Sequence, residues 1–325
     1  MIAYIVRRIL YTIPILFGVN FLVFVLFLHV NKPDDMARMQ LGNKRVTLEA
    51  IANWKKTNGY DKPYYYNNQA SGLGVLTDTL FYDKSVKLFV FDFGRSDNGR
   101  NIGRDIRERM WPSLAITIPT FFISLFITVM FAMLIAFFRA TYIDWWGVFL
   151  CVILMSISGM FYIIGGQYLV GKVLHLVPIS GYDKGLLAVK FVVLPIIVGV
   201  VGGIGSSTRL YRAIFLEELS KDYVRTARAK GLSETTVLFK HVLKNAMIPI
   251  LTGVVVVLPL LFIGSLITES FFGIPGLGSY TIDAIQQQDF AIVRSMVFLG
   301  AVLYIIGLLL TDISYTLVDP RIRMS

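Results

Sequence analysis

The sequence predicts an all-α membrane protein with six transmembrane helices, and this prediction rests on composition and on the length of the apolar runs. Of the 325 residues, 55% are hydrophobic and 16% are charged, and the mean hydropathy is +0.66. Globular domains carry about 25% charged residues. Several apolar runs reach the ~18 residues that mark a transmembrane helix, and their unbroken character favours helices over the alternating strands of a barrel. The six predicted spans are residues 9–30, 114–138, 146–171, 186–206, 248–271 and 294–317.

The distribution of lysine and arginine predicts which side of the membrane each connection occupies. Arg7 and Arg8 precede the first span, and residues 207–246 between spans four and five hold eight Lys and Arg residues. Arg321 and Arg323 follow the last span. With six spans all of these fall on one side, so the positive-inside rule predicts that both termini are cytoplasmic.

This topology divides the chain into four units. Residues 1–30 form an N-terminal segment and first helix, predicted to be retained because the apolar core is longer than that of a signal peptide. Residues 31–113 form an extracytoplasmic loop subdomain, in which helical spacing predicts short helices at 47–57 and 101–110. Residues 114–318 form a five-helix core that includes the cytoplasmic segment. The cytoplasmic C-terminus follows, at residues 319–325.

Residues that could carry chemistry are few and scattered along the chain. Cys151 is the single cysteine, which excludes an intrachain disulfide and predicts a small buried hydrophobic residue. The three histidines do not have the spacing of metal ligands. Residues 166–173 partly match a P-loop, but they end a membrane span and lack the Ser or Thr of that motif. The sequence therefore predicts a non-catalytic chain that binds no cofactor or metal of its own.

Residues 222–249 form the most informative stretch, because they are polar and basic yet lie between two long apolar spans. Asp222 can cap the start of a helix, Gly231 can end that helix, and Ser233 can cap a second one. Both helices would lie along the membrane surface, with small residues open to a partner. Two interpretations remain: a docking element for another protein, or a basic amphipathic helix bound to anionic lipid.

The same segment resembles the cytoplasmic coupling loop of permease subunits in binding-protein-dependent ABC importers. The pattern of that family is Glu-Ala-Ala, three residues, Gly, nine residues, and Ile-x-Leu-Pro. Residues 225–227 occupy the first triplet, Gly231 the glycine, and residues 241–244 the tail. The order Arg-Thr-Ala-Arg-Ala-Lys-Gly-Leu is similar to the dipeptide, oligopeptide and nickel branch. Three positions differ from the general pattern: Arg225, His241 and Lys244.

Other stretches resemble the same branch over nearly the whole chain. They are residues 4–14, 60–63, 92–96, 268–278, 283–290 and 318–323. The stretch at 68–90 looks longer than is usual for the family, and no role is assigned to it.

The resemblance implies a fold, a function and a set of partners. The fold would be that of type I importer permeases, with the loop subdomain between helices one and two. The chain would belong to an ATP-driven importer of short peptides in the bacterial inner membrane, with nickel or another small solute as an alternative cargo. The implied partners are a second homologous permease, two ATP-binding cassette subunits that carry ATP and Mg, an extracytoplasmic solute-binding protein, and the lipid bilayer. Nucleic acid is not expected.

A proton-coupled secondary transporter is the alternative from a different class. Such a transporter needs titratable groups within the membrane, and no ladder of acidic residues crosses the predicted spans. Asp312, near the end of the last span, is instead predicted to pair with a basic residue.

The resemblance also assigns candidate site residues on both sides of the membrane. The predicted ATPase-docking residues are Arg225, Thr226, Ala227, Arg228, Gly231, Leu232 and Leu243. The candidates for a gate or for binding-protein contact are Glu269, Pro275, Gly276 and Asp289. Glu269 has a second interpretation, as an interfacial carboxylate bonded to nearby backbone amides. Gly199 and Gly203 are predicted to allow close helix packing.

Overall fold

Long apolar helices form the frame of the structure. The computed structural model describes residues 2–42, 46–183 and 185–318, so the predicted C-terminal segment 319–325 lies outside the described residues. Within those ranges, five helices are long and apolar enough to cross a membrane, and a bent pair of helices makes a sixth span. The predicted all-α architecture with six spans is confirmed.

The helices have the following bounds. In chain order they are α1 (Ile2–Val30), α2 (Pro33–Leu41), α3 (Leu48–Asn58), α4 (Gly74–Thr77), α5 (Leu80–Lys84), α6 (Ile102–Phe137), α7 (Tyr142–Ser156), α8 (Gly159–Gly166), α9 (Ala188–Leu219), α10 (Asp222–Ala229), α11 (Glu234–Thr236), α12 (Leu243–Val257), α13 (Leu266–Phe272), α14 (Leu277–Gln286) and α15 (Phe290–Val318). We call the end of the bundle at which α1 begins the terminal face, and the end that carries residues 31–101 the loop face.

The third span is bent, and the predicted single helix over 146–171 is wrong. The axes of α7 and of the helical residues after it differ by 87°. Ile157 and Ser158 take extended backbone, with ψ of 127° and 143°. Ser158 and Gly159 form a Ser-Gly pair, and such pairs are common at sharp bends in helices. The hydroxyl of Tyr162 donates to the carbonyl oxygen of Leu154 across the bend at 2.8 Å.

The fifth span lies earlier in the chain than the predicted 248–271. It runs from Glu234 to Ile263, through α11, a π-helical turn, α12 and a 3-10 turn. Its first residues are helical because Val237 and Val242 are completely buried within the protein. Gly264 ends it with φ of +76°, a conformation that glycine adopts at little cost. The residues after Gly264 form the separate helix α13.

Close packing of α6 against α9 makes the centre of the bundle. A β-carbon on Gly199 would lie 2.8 Å from Cγ2 of Thr120, and one on Gly203 would lie 3.4 Å from Oγ of Ser124. The two glycines therefore let the helix backbones approach, as small residues do in membrane bundles. The prediction that they serve helix packing is confirmed.

A cluster of buried apolar side chains holds the α9–α12 connection against the bundle. Phe215, Val224, Val237 and Val242 have no solvent-exposed surface, and they share one core with side chains of α6 and α12. We call this the terminal core. Because α10 contributes Val224 to it, α10 is packed into the same body as three of the spans.

Two ion pairs tie helices together near the terminal face. Nε of Arg8 lies 2.7 Å from Oδ2 of Asp312, linking α1 to α15, so the predicted pairing of Asp312 is confirmed. Asp144 at the start of α7 accepts two bonds of 2.8 Å from Nε and Nη2 of Arg212 in α9. Such a bidentate pair fixes orientation as well as distance.

Short helices form a cap over the loop-face end of α1. Phe24 of α1 is completely buried and contacts Phe81 edge to face, with ring centroids 5.0 Å apart. The predicted helix at 47–57 is confirmed as α3, whose N-terminus is capped by the Thr47 hydroxyl.

The helix of the second span begins within the predicted loop segment. The helix predicted at 101–110 is present, but it continues without a break into the second span as α6. Asn101 caps it, accepting a bond from the Arg104 amide at 2.9 Å. Residues 102–113 therefore form the first turns of the same helix as the second span, and we use the name loop subdomain for residues 31–101.

Replacing Gly205 by alanine tests the contact of α9 with α7. A β-carbon there would lie 2.6 Å from the carbonyl oxygen of Cys151 and 2.8 Å from Cγ of Met155, so the helices must move apart. We expect Gly205→Ala to lower the free energy of unfolding by about 1–3 kcal/mol, measured by thermal unfolding in detergent. Gly202→Ala is the control, because the nearest atom, in Tyr162, is 3.6 Å away. Equal melting temperatures of the two variants would contradict the packing argument.

Candidate functional site

A short helix and a glycine turn lie on the terminal face. Gly231 follows α10 with φ of +76°, and its N–H donates to the carbonyl oxygen of Arg228 at 2.9 Å. The N–H of Leu232 donates to the carbonyl oxygen of Ala227 at 3.4 Å. This bond pair is a Schellman motif, which satisfies carbonyl groups at a helix end. The prediction that Gly231 ends the helix is confirmed.

The helix α10 has a buried and an exposed side. Val224 is completely buried and Ala227 is 5% exposed, while Leu243 at the start of α12 is half-buried against the same terminal core. The prediction that Ala227 is open to a partner is therefore wrong, because its methyl group faces the protein's own interior. The other five predicted docking residues are exposed, and we call them the docking surface: Arg225, Thr226, Arg228, Gly231 and Leu232.

Local bonds order the turn after α10. The guanidinium group of Arg228 donates to both carboxylate oxygens of Glu234, at 3.0 and 3.2 Å. Ser233 caps the next helix by accepting from the Thr236 amide at 3.4 Å. That helix is the start of the fifth span, so the predicted second helix along the membrane surface is wrong. Asp222 is the first residue of α10 and not its cap, which is also a correction.

A cavity of about 430 Å³ lies between α6, α9, α12 and the turn before α13. The α12 side of the cavity is apolar, and the other sides contribute hydroxyl groups: Thr117, Thr120, Ser124 and Thr128 of α6, Ser207 and Tyr211 of α9, and Ser265 and Thr268 near the start of α13. No charged side chain is among its lining residues in the described part of the chain. Sequence reasoning missed this cavity, although the spacing of three and four between the α6 hydroxyls is a helical signal.

The carboxylate of Glu269 is the centre of a backbone turn at the loop face. Glu269 is completely buried. Its Oε1 accepts from the Ser265 amide at 3.0 Å, and its Oε2 accepts from the amides of Gly278 and Ser279 at 2.8 and 3.1 Å. The interpretation of Glu269 as a carboxylate bonded to nearby amides is confirmed. In this conformation the side chain does not reach an incoming solute or partner.

The other residues of this turn divide into buried and exposed positions. Gly276 is buried, and a β-carbon there would overlap the carboxylate of Glu269 and the hydroxyl of Ser113. Ser113 in α6 accepts from the Leu277 amide at 2.8 Å, which joins the turn to the second span. Pro275 is exposed. Of the two, only Pro275 has an exposed surface.

Asp289 belongs to a group of charged and polar side chains, most of them buried, which we call the junction cluster: Tyr60, Lys84, Asp97, Asp289 and Arg294. Oδ1 of Asp289 accepts from the Asp97 amide at 3.3 Å, and the Tyr60 hydroxyl donates to Oδ1 of Asp97 at 3.2 Å. Burial and the neighbouring Asp289 raise the pKa of Asp97 to about 6. Burial and the positive charge of Arg294 lower the pKa of Lys84 to about 8. Asp289 is completely buried, so its place is inside this cluster and not at an exposed gate.

A family model described as "Binding-protein-dependent transport system inner membrane component" matches residues 109–324 of the chain. The chain belongs to this family. A second model, for the N-terminal part of such membrane components, matches residues 1–87. The protein is therefore a multi-pass permease subunit of the inner membrane. The resemblance drawn from the coupling segment is confirmed, and so is the expected type I importer fold.

Relatives of the permease match along its whole length. The dipeptide transport system permease protein DppB of Alkalihalophilus pseudofirmus is 28% identical over 99% of this chain and 100% of its own. The oligopeptide transport system permease protein AppB of Bacillus subtilis is 29% identical over 99% of this chain and 100% of its own. The di/tripeptide transport system permease protein DppB of Pseudomonas aeruginosa is 30% identical over 99% of both chains.

The junction cluster connects the two regions that the family models match. Tyr60 and Lys84 lie in the N-terminal region, and Asp289 and Arg294 lie in the region of the permease core. Sequence reasoning predicted Asp289 alone. Arg294, a single charge at the edge of a long apolar run, is the signal that could have identified a second member.

Replacing Glu269 by glutamine tests whether its carboxylate holds the loop-face turn. Glutamine keeps the size, but its NH₂ group cannot accept the amide bonds that one carboxylate oxygen receives. An unsatisfied buried donor costs ~1–3 kcal/mol, so we expect a loss of stability of this order in thermal unfolding of the purified permease. Glu217→Gln, at an exposed position, is the control. A variant with wild-type stability that has lost transport would instead indicate direct contact with the solute.

Replacing Asp97 by asparagine tests the junction cluster by its pH dependence. The pKa of Asp97 is raised from 3.8 to about 6, so the folded protein holds this proton more tightly than the unfolded chain. Its stabilising contribution is complete below about pH 4 and is lost as the pH rises through 6. Acidification from pH 7 to pH 5 should therefore raise the free energy of unfolding of the wild type by about 1 kcal/mol more than that of Asp97→Asn. The measurement is the melting temperature of each protein at the two pH values. Asp92→Asn is the exposed control, and parallel profiles of the wild type and Asp97→Asn would refute the assignment.

Proposed function

We propose that this permease forms half of the translocation pathway of an ATP-driven importer for short peptides and works by alternating access. The observation that carries the proposal is the docking surface, which is exposed and basic and is joined through its buried side to α6, α9 and α12. The cargo is supported by the relatives, which are named as permeases for dipeptides, oligopeptides and di- or tripeptides.

The proposed complex has subunits on both sides of the membrane. A second homologous permease forms the other half of the pathway, and two ATP-binding cassette subunits bind at the terminal face. ATP and Mg stay on those subunits, and this chain binds no cofactor. A solute-binding protein docks at the loop face. The concentration of Lys and Arg on the terminal face supports an orientation with both termini in the cytoplasm.

In this mechanism the docking surface receives the movement of the ATPase. Arg225, Thr226 and Arg228 contact a groove of the ATP-binding subunit, and the close-packed side chains of Val224 and Phe215 carry the displacement into α9 and α12, since packed cores transmit strain. ATP binding closes the two ATPase subunits and opens the pathway outward, and hydrolysis resets it. Each ligand shifts the equilibrium between the inward-open and outward-open conformations only as far as its affinities for the two differ.

Proton-coupled transport is less compatible with the geometry. Such a mechanism needs an acidic group that titrates on the pathway. Asp312 lies 2.7 Å from Arg8 in an ion pair, and the described lining of the cavity contains no acidic residue. The proposal therefore retains ATP as the energy source. The names of the relatives favour peptides over nickel as the cargo.

Replacing Gly231 by proline tests the coupling role of the docking surface. Proline cannot adopt φ of +76° and lacks the N–H that bonds to Arg228, so the turn is lost while the six spans keep their packing. We expect normal insertion into the membrane but at least a tenfold loss of peptide uptake and of ATP hydrolysis stimulated by loaded binding protein, as estimated from the loss of a structured contact. The assay uses the complete complex in vesicles.

Lys230→Ala is the matched control, because Lys230 is an exposed neighbour whose backbone takes an ordinary φ of −77°. This variant should keep most of its coupled hydrolysis. Wild-type uptake by Gly231→Pro would overturn the coupling assignment.

A further inference from the structure

The junction cluster lies where the loop subdomain meets the start of the last span. Two hydrogen bonds cross this boundary: the Asp97 amide donates to Oδ1 of Asp289 at 3.3 Å, and Nε2 of Gln40 donates to the carbonyl oxygen of Gln287 at 3.3 Å. Both are longer than the usual range of about 2.7–3.2 Å for N–H···O bonds. These polar contacts therefore hold the two parts together only weakly.

Three atoms of the junction cluster are buried without a hydrogen bond, and the groups that carry them have opposite charges. Within the described residues, Nε of Arg294 and the Oδ2 atoms of Asp97 and Asp289 have no hydrogen-bond partner. Arg294 is only 5% exposed, and Asp289 is completely buried. A buried charge is costly unless it is paired and hydrogen-bonded, so this cluster does not use the bonds that its own members could make.

The charge of Arg294 already acts on the loop subdomain. Burial is the main cause of the raised pKa of Asp97, and the positive charges of Lys84 and Arg294 oppose that rise. The guanidinium group and the carboxylate are therefore close enough to interact electrostatically although no bond joins them.

The loop-subdomain members of the cluster are held by bonds of their own. The Tyr60 hydroxyl donates to Oδ1 of Asp97 at 3.2 Å, and Nζ of Lys84 donates to the carbonyl oxygen of Asn58 at 2.8 Å. Both bonds lie within the loop subdomain, so this side of the boundary is ordered without α15. Arg294 is the cluster's cation on the α15 side.

A second cavity, of about 270 Å³, lies at the same boundary. Arg294 is its lining residue from α15, and its other described lining residues all belong to the loop subdomain, at 57–59, 83–84, 87–88 and 92–95. Close-packed interiors contain few voids larger than a water molecule. The boundary is therefore open beside Arg294, and the loop subdomain and α15 have room to change their relative position.

We propose that Arg294 is a positioning residue of the transport cycle, whose guanidinium group changes partners as the pathway opens and closes. In the conformation described here its Nε has no partner, and in the other conformation the guanidinium group binds the free oxygens of Asp97 and Asp289. That pairing joins the loop subdomain to the last span firmly, since charge-assisted hydrogen bonds are roughly twice as strong as neutral ones. The proposal rests on the proposed function, because it requires a cycle with two conformations.

The affinity of the complete complex for a non-hydrolysable ATP analogue with Mg tests this exchange of partners. A ligand that prefers one conformation binds with an affinity that depends on the equilibrium between the two, and a pair formed in one conformation shifts that equilibrium. We expect Arg294→Gln to change the half-saturating concentration of the analogue about tenfold, as for the loss of a hydrogen bond between charged groups. Adding Asp97→Asn to this variant should change it no further, because the effects of interacting residues are not additive.

A fixed structural role for Arg294, or a water molecule that bonds to it in both conformations, predicts a different result. Arg294→Gln then lowers the melting temperature of the complex and leaves its affinity for the analogue unchanged, and this outcome overturns the inference. Arg95→Gln is the matched control, because Arg95 is exposed and lines the same cavity. An equal change of affinity in this control also overturns the inference, since the effect would then belong to the charge of the cavity.

A second variant keeps the inference testable if Arg294→Gln does not assemble. Asp289→Asn keeps Oδ1, which accepts from the amides of Asp97 and Ile292, and replaces the free Oδ2 by an NH₂ group that cannot accept a bond. The half-saturating concentration should change about threefold, less than for the loss of Arg294, because Asp97 remains as a partner. An unchanged value overturns the inference and leaves the proposed function intact. A wild-type complex that neither binds the analogue nor hydrolyses ATP overturns the proposed function itself.

Discussion

The buried carboxylate of Glu269 is the interaction on which the loop-face end of the bundle depends. A desolvated carboxylate is costly unless hydrogen bonds replace its water, and here three backbone amides do so. Those amides come from both sides of α13, so the charge draws residues 265–279 into one turn. Ser113 joins this turn to α6, so the turn is fixed to the second span. Gly276 is required because a side chain would occupy the space of the carboxylate.

The terminal face is held by a different kind of interaction. There the side chains of Phe215, Val224 and Val242 are completely buried and apolar, so packing and the hydrophobic effect fix α10 to the spans. The exposed side of α10 is basic, while its buried side belongs to the core. The docking surface is therefore the outer side of a helix whose inner side packs against Val237 and Val242 of the fifth span. A displacement of α10 would move the fifth span with it.

The sequence predicted what depends on local signals and missed what depends on distant ones. The apolar runs, the glycine turn at Gly231 and the helical spacing of residues 47–57 are encoded in adjacent residues. The fifth span was predicted to start too late, because residues 234–247 are polar enough to resemble a surface segment. They are helical because Val237 and Val242 are buried within the protein. It also predicted that Ala227 is exposed. Which side of α10 is buried depends on the terminal core, whose other residues come from α6, α9 and α12 and are distant in sequence. The contact of Asp97 with Asp289 joins residues 192 positions apart, and no local pattern could indicate it.

Fixed charges are concentrated towards the two faces, whereas the middle of the bundle is held by helix packing. Fixed charges with defined partners lie at the loop face, in the junction cluster, and near the terminal face, in the pairs of Arg8 with Asp312 and Arg212 with Asp144. Between them the cavity wall consists of hydroxyl and apolar groups. Since α6, α9 and α12 are joined at both ends by close contacts, they form one body, and rigid bodies move against each other at their interfaces. In the proposed complex the interface available for opening is then the one between the two permeases.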